Sequence, residues 1–122
     1  DDPETYVRAE SGGVLASPCD ETPWQAGEPP ADDAELERLA ARLARVAPAL
    51  EGAQVRSRWA CLRTFAPDRE LVAGPDPRLD GLFWLGGLGG RGMGVGLAAA
   101  ADLAECVLSG RSMGAFAPAR LV

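Results

Sequence analysis

Between Asp32 and Val46 the apolar residues Leu36, Leu39, Ala40, Leu43 and Val46 recur three and four positions apart, and Pro48 ends the run. Side chains at that spacing share one face of a helix, so the segment predicts an amphipathic α-helix, with Asp32 and Glu35 placed as a capping box at its start. Arg38, Arg42 and Arg45 fall between them and read as the wet face. Ahead of this helix, Thr5 to Glu10 and Gly13 to Ser17 carry Tyr6, Val7, Val14 and Leu15 and are parted by Ser11-Gly12, the pattern of a β-hairpin. From Pro18 to Ala31 the chain turns to Pro, Asp, Glu, Thr and Gly, a surface loop in which Trp24 is expected to be pinned against a neighbour.

Beyond Gly52 the pattern shortens. Val55 to Phe65 holds Trp59, Leu62 and Phe65 among arginines, and Glu70 to Ala73 and Leu82 to Leu85 are further short strand candidates bounded by Pro-Asp and Asp-Gly turns. Three strands in succession suggest a meander or a crossing between two sheets. The Gly81-Leu-Phe-Trp-Leu85 strand then runs directly into Gly86-Gly-Leu-Gly-Gly-Arg-Gly92, and the alanine-rich stretch from Leu97 to Leu108 predicts a helix that stops at Gly110. The order is strand, glycine loop, helix.

Composition narrows the class. With 122 residues, 47% apolar and 25% charged, the chain matches a globular domain of ordinary size. The net charge of −6 and a pI near 4.6 argue against binding to nucleic acid or to an anionic membrane surface. No stretch of 18 consecutive apolar residues predicts a membrane span. The opening Asp1-Asp2-Pro3 carries no basic, then apolar, leader, and the missing initiator methionine suggests a trimmed fragment. Cys19, Cys61 and Cys106 are odd in number, widely spaced and without a histidine anywhere, which speaks against zinc sites and a disulfide framework and for reduced, mostly buried thiols of an intracellular, cytoplasmic protein. The lack of histidine also removes every Ser-His and Cys-His nucleophile, so any chemistry falls to a cofactor.

Seven of the fifteen glycines lie between Gly86 and Gly96. Glycines between a strand and a helix let backbone approach a ligand closely, and the N–H groups of the helix start favour negative charge, such as a phosphate or the electron-rich edge of a flavin. The same spacing equally serves a packing turn where a helix meets a sheet, and no strand with an acidic residue follows to complete a Rossmann unit.

A family resemblance bears on that choice. Trp59-Ala-Cys-Leu-Arg63-Thr-Phe-Ala-Pro67-Asp68-Arg69, then Val72-Ala-Gly74-Pro-Asp-Pro, Gly81-Leu-Phe-Trp-Leu85 and Gly87-Leu-Gly-Gly-Arg-Gly92 resemble, in order and spacing, the carboxy-terminal block of the D-amino-acid oxidase-like FAD family. Ser17-Pro18-Cys-Asp20-Glu21-Thr22-Pro23 after a Tyr-x-Arg strand is similar to the preceding segment, so the resemblance spans about Tyr6 to Gly110, nearest to the D-amino-acid (D-arginine-like) dehydrogenases. It implies an α+β fragment of a larger fold. Residues 1–73 would be part of a substrate-binding domain with mixed or antiparallel strands and a helix, and residues 74–122 the carboxy-terminal strand–glycine loop–helix unit of an FAD-binding domain.

The implied function is oxidation of an amino acid or amine to the imine with hydride transfer to FAD. Arg63 would hold the substrate carboxylate through its planar fork, and Tyr6 would offer a hydroxyl to the same cavity. Arg63 paired with Asp68 or Glu70, and Tyr6 as an ordinary strand residue, are the plain alternatives. Gly87, Leu88, Gly89, Gly90, Arg91, Gly92 and Met93 would contact the flavin, whose anionic reduced form the helix start favours. No residue is assigned a catalytic role of its own.

Three positions depart from the family pattern. Cys61 replaces the glycine usual before Leu-Arg, Leu88 stands where a polar Gln or His is common, and Leu97 stands where a proline often follows the loop. Leu88 removes a side chain able to hydrogen-bond flavin or substrate and leaves the substrate class open. The Gly-Leu-Gly-x-Arg-Gly loop is also similar to the FAD domain of a bacterial enzyme that modifies wobble uridine in tRNA. Nothing before Gly86 fits a strand with G-x-G-x-x-G, so the expected partners are a missing amino-terminal FAD-binding segment and a small amino acid or amine. A fragment would be inactive alone and would form oligomers through exposed sheet edges, whereas a free-standing small subunit or interaction module would fold cooperatively by itself.

Overall fold

Gly12 takes φ +72 and so closes the turn between Tyr6–Glu10 (β1) and Gly13–Ser17 (β2), which pair antiparallel with Tyr6 opposite Ser17 and Glu10 opposite Gly13. The computed structural model describes residues 5–122, so the Asp1-Asp2-Pro3 opening lies outside the described residues. These form two compact units, one ending at Leu62 and one spanning Arg63–Val122.

In the first unit the hairpin is followed by a helix, Asp33–Val46 (α1). Asp32 caps it by accepting a hydrogen bond from the Ala34 N–H at 2.8 Å, which satisfies one donor that the first turn leaves open. The capping box is only half realised, because the Glu35 carboxylate engages Arg38 one turn on. Of the apolar stripe, Leu39 is buried while Val46 remains 63% exposed. Arg42 departs from the wet-face reading: its guanidinium donates to the Pro18 carbonyl at 3.0 Å and ties the helix to the chain leaving the hairpin. Trp24 is half exposed. The strand expected over Val55 to Phe65 does not form. Val55 and Trp59 are largely exposed, and no strand lies beside them to complete a ladder among the described residues.

The second unit contains Val72–Pro75 (β3) and Phe83–Gly86 (β4), paired antiparallel with Val72 opposite Gly86 and Pro75 opposite Phe83. Both strands sit one or two residues later than the pattern predicted. The connection is built on Asp76, a buried carboxylate. It accepts from Trp84 Nε1 at 2.9 Å, from the Arg78 N–H at 2.8 Å and from the Leu79 N–H at 3.2 Å. The Trp84 indole first, then the Arg78 N–H and guanidinium, lower its pKa from the ordinary 3.8 to about 2. Gly92–Ser109 (α2) follows the glycine loop and starts five residues earlier than its alanine content suggested. Three glycines, each costing about 1 kcal/mol in a helix, mask that first turn in the sequence. Gly110 ends it at φ +73, donating its N–H to the Cys106 carbonyl. The fold is thus α+β, with two small antiparallel sheets and two α-helices among the described residues.

Ala73, Ala99 and Cys106 are buried in this unit, whereas much of α2 is not: Leu97 and Leu108 are 87% and 83% exposed. Of the cysteines only Cys106 is buried, Cys19 being half-buried and Cys61 exposed, which corrects the expectation of mostly buried thiols. By length and composition α2 is also long and apolar enough to cross a membrane, although no run of 18 consecutive apolar residues marks it in the sequence. Asp102 stands near its midpoint, where a carboxylate in hydrocarbon would cost about 3 kcal/mol.

Candidate functional site

The glycine loop lies on the segment that carries Arg63. The Gly89 N–H donates to the Thr64 carbonyl at 3.0 Å, a contact that takes the place of the ladder expected for this segment. A Cβ at Gly89 would stand 2.8 Å from Phe65 Cε1, one at Gly90 would stand 2.9 Å from Arg63 Cδ, and one at Gly87 would meet the Glu70 carbonyl at 3.3 Å. All three glycines have positive φ. Backbone shape therefore disfavours a side chain at all three, and at Gly89 the Phe65 ring adds an overlap. The glycines allow the loop to lie flat on residues 63–70.

Charge gathers at the same place. The Arg63 and Arg69 guanidinium carbons stand 5.2 and 4.5 Å from the Phe65 ring centre, within the range where an aromatic ring attracts a cation. Arg63 is half-buried. Arg69 itself adopts φ +65 as the 66–69 turn closes, and its carbonyl accepts from Arg91 at 3.3 Å. Asp68, one of the two acids that the sequence offered to Arg63, receives Arg120 at 2.5 and 3.1 Å. That contact, ahead of all other causes, lowers the Asp68 pKa and correspondingly raises that of Arg120.

From Arg91 onward the backbone turns into α2. The Arg91 carbonyl accepts from Gly94 and Val95 at 2.9 and 3.0 Å, but no side chain caps the helix and its first turn carries no acidic residue. Met93 points fully into solvent. An uncapped start of an 18-residue helix concentrates partial positive charge from N–H groups with no helical partner. Leu88, the apolar departure, is half-buried and lies 3.5 Å from where a Cβ at Gly92 would be.

Arg63, Gly87, Leu88, Gly89, Gly90, Arg91, Gly92 and Met93 thus belong to one patch of the second unit, whereas Tyr6 is carried by β1 of the first and is half exposed there. The role of Phe65 beneath the loop and the pairing of Asp68 with Arg120 had no signal in the sequence pattern. Phe65 was legible only as a strand aromatic, and nothing in a one-dimensional pattern pairs Asp68 with a residue 52 positions later. Among the described residues no group of three or more His, Cys, Asp or Glu is arranged to hold a metal. The donor set suits an anionic or electron-rich organic group: backbone N–H groups, guanidinium groups and a helix start.

Comparison with known proteins bears on the family of the chain. The chain is similar to the mouse mitochondrial pyruvate dehydrogenase phosphatase regulatory subunit, with 29% identity over 119 residues, covering 89% of this chain and 14% of that protein. It therefore spans about a seventh of that relative's length. No solved structure gives a significant match. The profile described as "FAD dependent oxidoreductase" matches residues 1–106, the greater part of the sequence, and the chain belongs to that family.

Proposed function

We propose that this chain forms the carboxy-terminal part of a flavoenzyme that oxidises an amino acid or other amine at its CH–NH bond. Bound FAD would supply the two-electron acceptor, taking hydride from the carbon while the nitrogen releases a proton and the imine departs to hydrolyse in water. The observation that carries the proposal is the side-chain-uncapped start of α2, placed immediately after a glycine loop laid flat against the Arg63 segment. In this reading the loop from Gly87 to Met93 approaches the ring, and the helix start favours the negative charge of its reduced form. Arg63, held over Phe65, presents a forked donor to the substrate carboxylate, and Tyr6 contributes a hydroxyl from the substrate-binding portion. The division into a substrate-binding part, residues 1–73, and the end of an FAD-binding part, residues 74–122, belongs to the same proposal, as do a preceding FAD-binding segment and a cytoplasmic setting.

The similarity to a regulatory subunit favours a second reading, in which the family fold is kept and turnover is not. Both are tested on the full-length protein containing this chain. Purification should give a yellow protein, and anaerobic addition of D-amino acids or secondary amines should bleach the flavin bands. Bound FAD that no amine reduces would favour the regulatory reading. A correctly folded full-length protein that never takes up FAD would sink both.

A further inference from the structure

We propose that Arg120, outside the glycine loop and outside the family's matched segment, is a positioning residue that fixes the floor on which the flavin-contacting loop rests; the proposal depends on the flavin reading above. Arg120 lies in a short 3-10 turn, Pro118–Leu121, near the end of the chain. Its Nε and one terminal nitrogen grip both oxygens of Asp68 at 2.5 and 3.1 Å. The same terminal nitrogen donates to the carbonyls of Glu70 and Leu71 at 3.2 and 3.1 Å, and the other donates to those of Phe116 and Ala117 at 2.8 and 3.2 Å. One planar guanidinium therefore ties residues 68–71 to residues 116–117, and its side chain is only 19% exposed. A lysine could reproduce the charge but not the fork.

The link to the loop is atomic. The Glu70 carbonyl that Arg120 holds is the atom standing 3.3 Å from a Cβ at Gly87, and the Ala66 N–H stands 3.5 Å from the same point. The Asp68 carboxylate also accepts from the Glu70 N–H at 3.1 Å, so both polar groups of that peptide region are fixed from the Arg120 side. Independently, the tail presses on β3 at Gly74: a Cβ there would meet Met113 Cγ at 3.1 Å and Pro118 Cδ at 3.3 Å. The tail thus sets where segment 66–74 lies, and that segment sets where Gly87 and Gly89 lie. Groups that must be held to within a fraction of an ångström for a cofactor are held by such supporting contacts.

The test uses the full-length protein. Arg120→Ala is expected to weaken FAD retention about tenfold, in line with loss of a charged hydrogen-bonding partner, and to shift the visible flavin bands. Arg120→Lys should fall between it and wild type. Arg111→Ala, which removes the exposed partner of Asp102, should leave retention and spectrum unchanged. A folded Arg120→Ala protein with wild-type FAD affinity and spectrum overturns the proposal, even if its melting temperature falls. If Arg120→Ala does not fold, Asp68→Asn replaces it, and unaltered FAD retention in that variant has the same force. Amide hydrogen exchange at Gly87 and Gly89 separates the two levels of inference. If the wild-type protein takes no FAD, faster exchange in Arg120→Ala would still uphold the positioning role, and unchanged exchange would refute it.

Discussion

Gly89 combines φ +55 with a neighbour, Phe65, that would overlap any Cβ, whereas Gly81 has φ +79 and nothing within 4 Å. Alanine at Gly81 therefore carries only the left-handed backbone penalty of about 1–2 kcal/mol. Alanine at Gly89 adds displacement of an aromatic ring, an overpacking cost of about 1–3 kcal/mol. Urea titration should place Gly89→Ala below Gly81→Ala in stability by at least about 1 kcal/mol. Equal losses would mean that the Phe65 contact is slack. Asp76 gives a prediction in pH. Its folded pKa of about 2 lies below the ordinary 3.8, so its contribution is fully present above pH 4 and is lost as pH falls from there through 2. Asp76→Asn should lower the unfolding midpoint at neutral pH and flatten the acid limb in that window. An unchanged acid limb would place the titration on other carboxylates.

At the scale of the element, α2 sets helix stability against ligand affinity. Met93 is in the first turn and fully exposed. Met93→Glu puts a carboxylate beside unpartnered N–H groups, which stabilises a helix by about 0.3–1 kcal/mol. If the flavin reading holds, in the full-length protein the same charge faces the proposed anionic ring, so thermal stability of the apoprotein should rise while FAD retention falls. If both rise, or neither moves, the helix start does not serve the cofactor. The two helices also show what a sequence can carry. The bounds of α1 were readable because its period, its Asp32 cap and Pro48 all agree. The glycine loop was readable as close-approach backbone, but its floor was not. Whether Gly90 faces a ligand or Arg63 depends on which segment lies beneath it, and that contact spans 27 positions of chain. The Val55 to Phe65 segment misled for the opposite reason, since β-favouring residues form a strand only where a partner edge exists. Pairings such as Arg120 with Asp68 have no periodic signature at all.

For the whole molecule, the charge is divided unevenly. The six arginines of residues 63–122 are matched by six acids, so the formal charge of −6 resides entirely in residues 1–62. The second unit thus has no net repulsion to keep copies apart, and it exposes apolar surface. Leu97 and Leu108 are eleven positions apart, about three helical turns, and so share one side of α2. Beside them lies a groove of about 410 Å³ lined by Leu85, Ala100, Leu103, Ala104, Val107 and Leu108. Both sheets are two-stranded, so every described strand leaves one edge unpaired. In the longer flavoprotein proposed above, further family structure would cover these features; in the 122-residue chain alone they face water. The isolated chain should therefore elute from size-exclusion columns well above its 12.7 kDa and bind a dye for exposed apolar surface. Leu97→Glu with Leu108→Glu should reduce both signals, and the full-length protein should show neither. A dye-silent monomer that unfolds cooperatively would instead establish a self-sufficient module, and the α2 surface would then need a partner other than its own polypeptide.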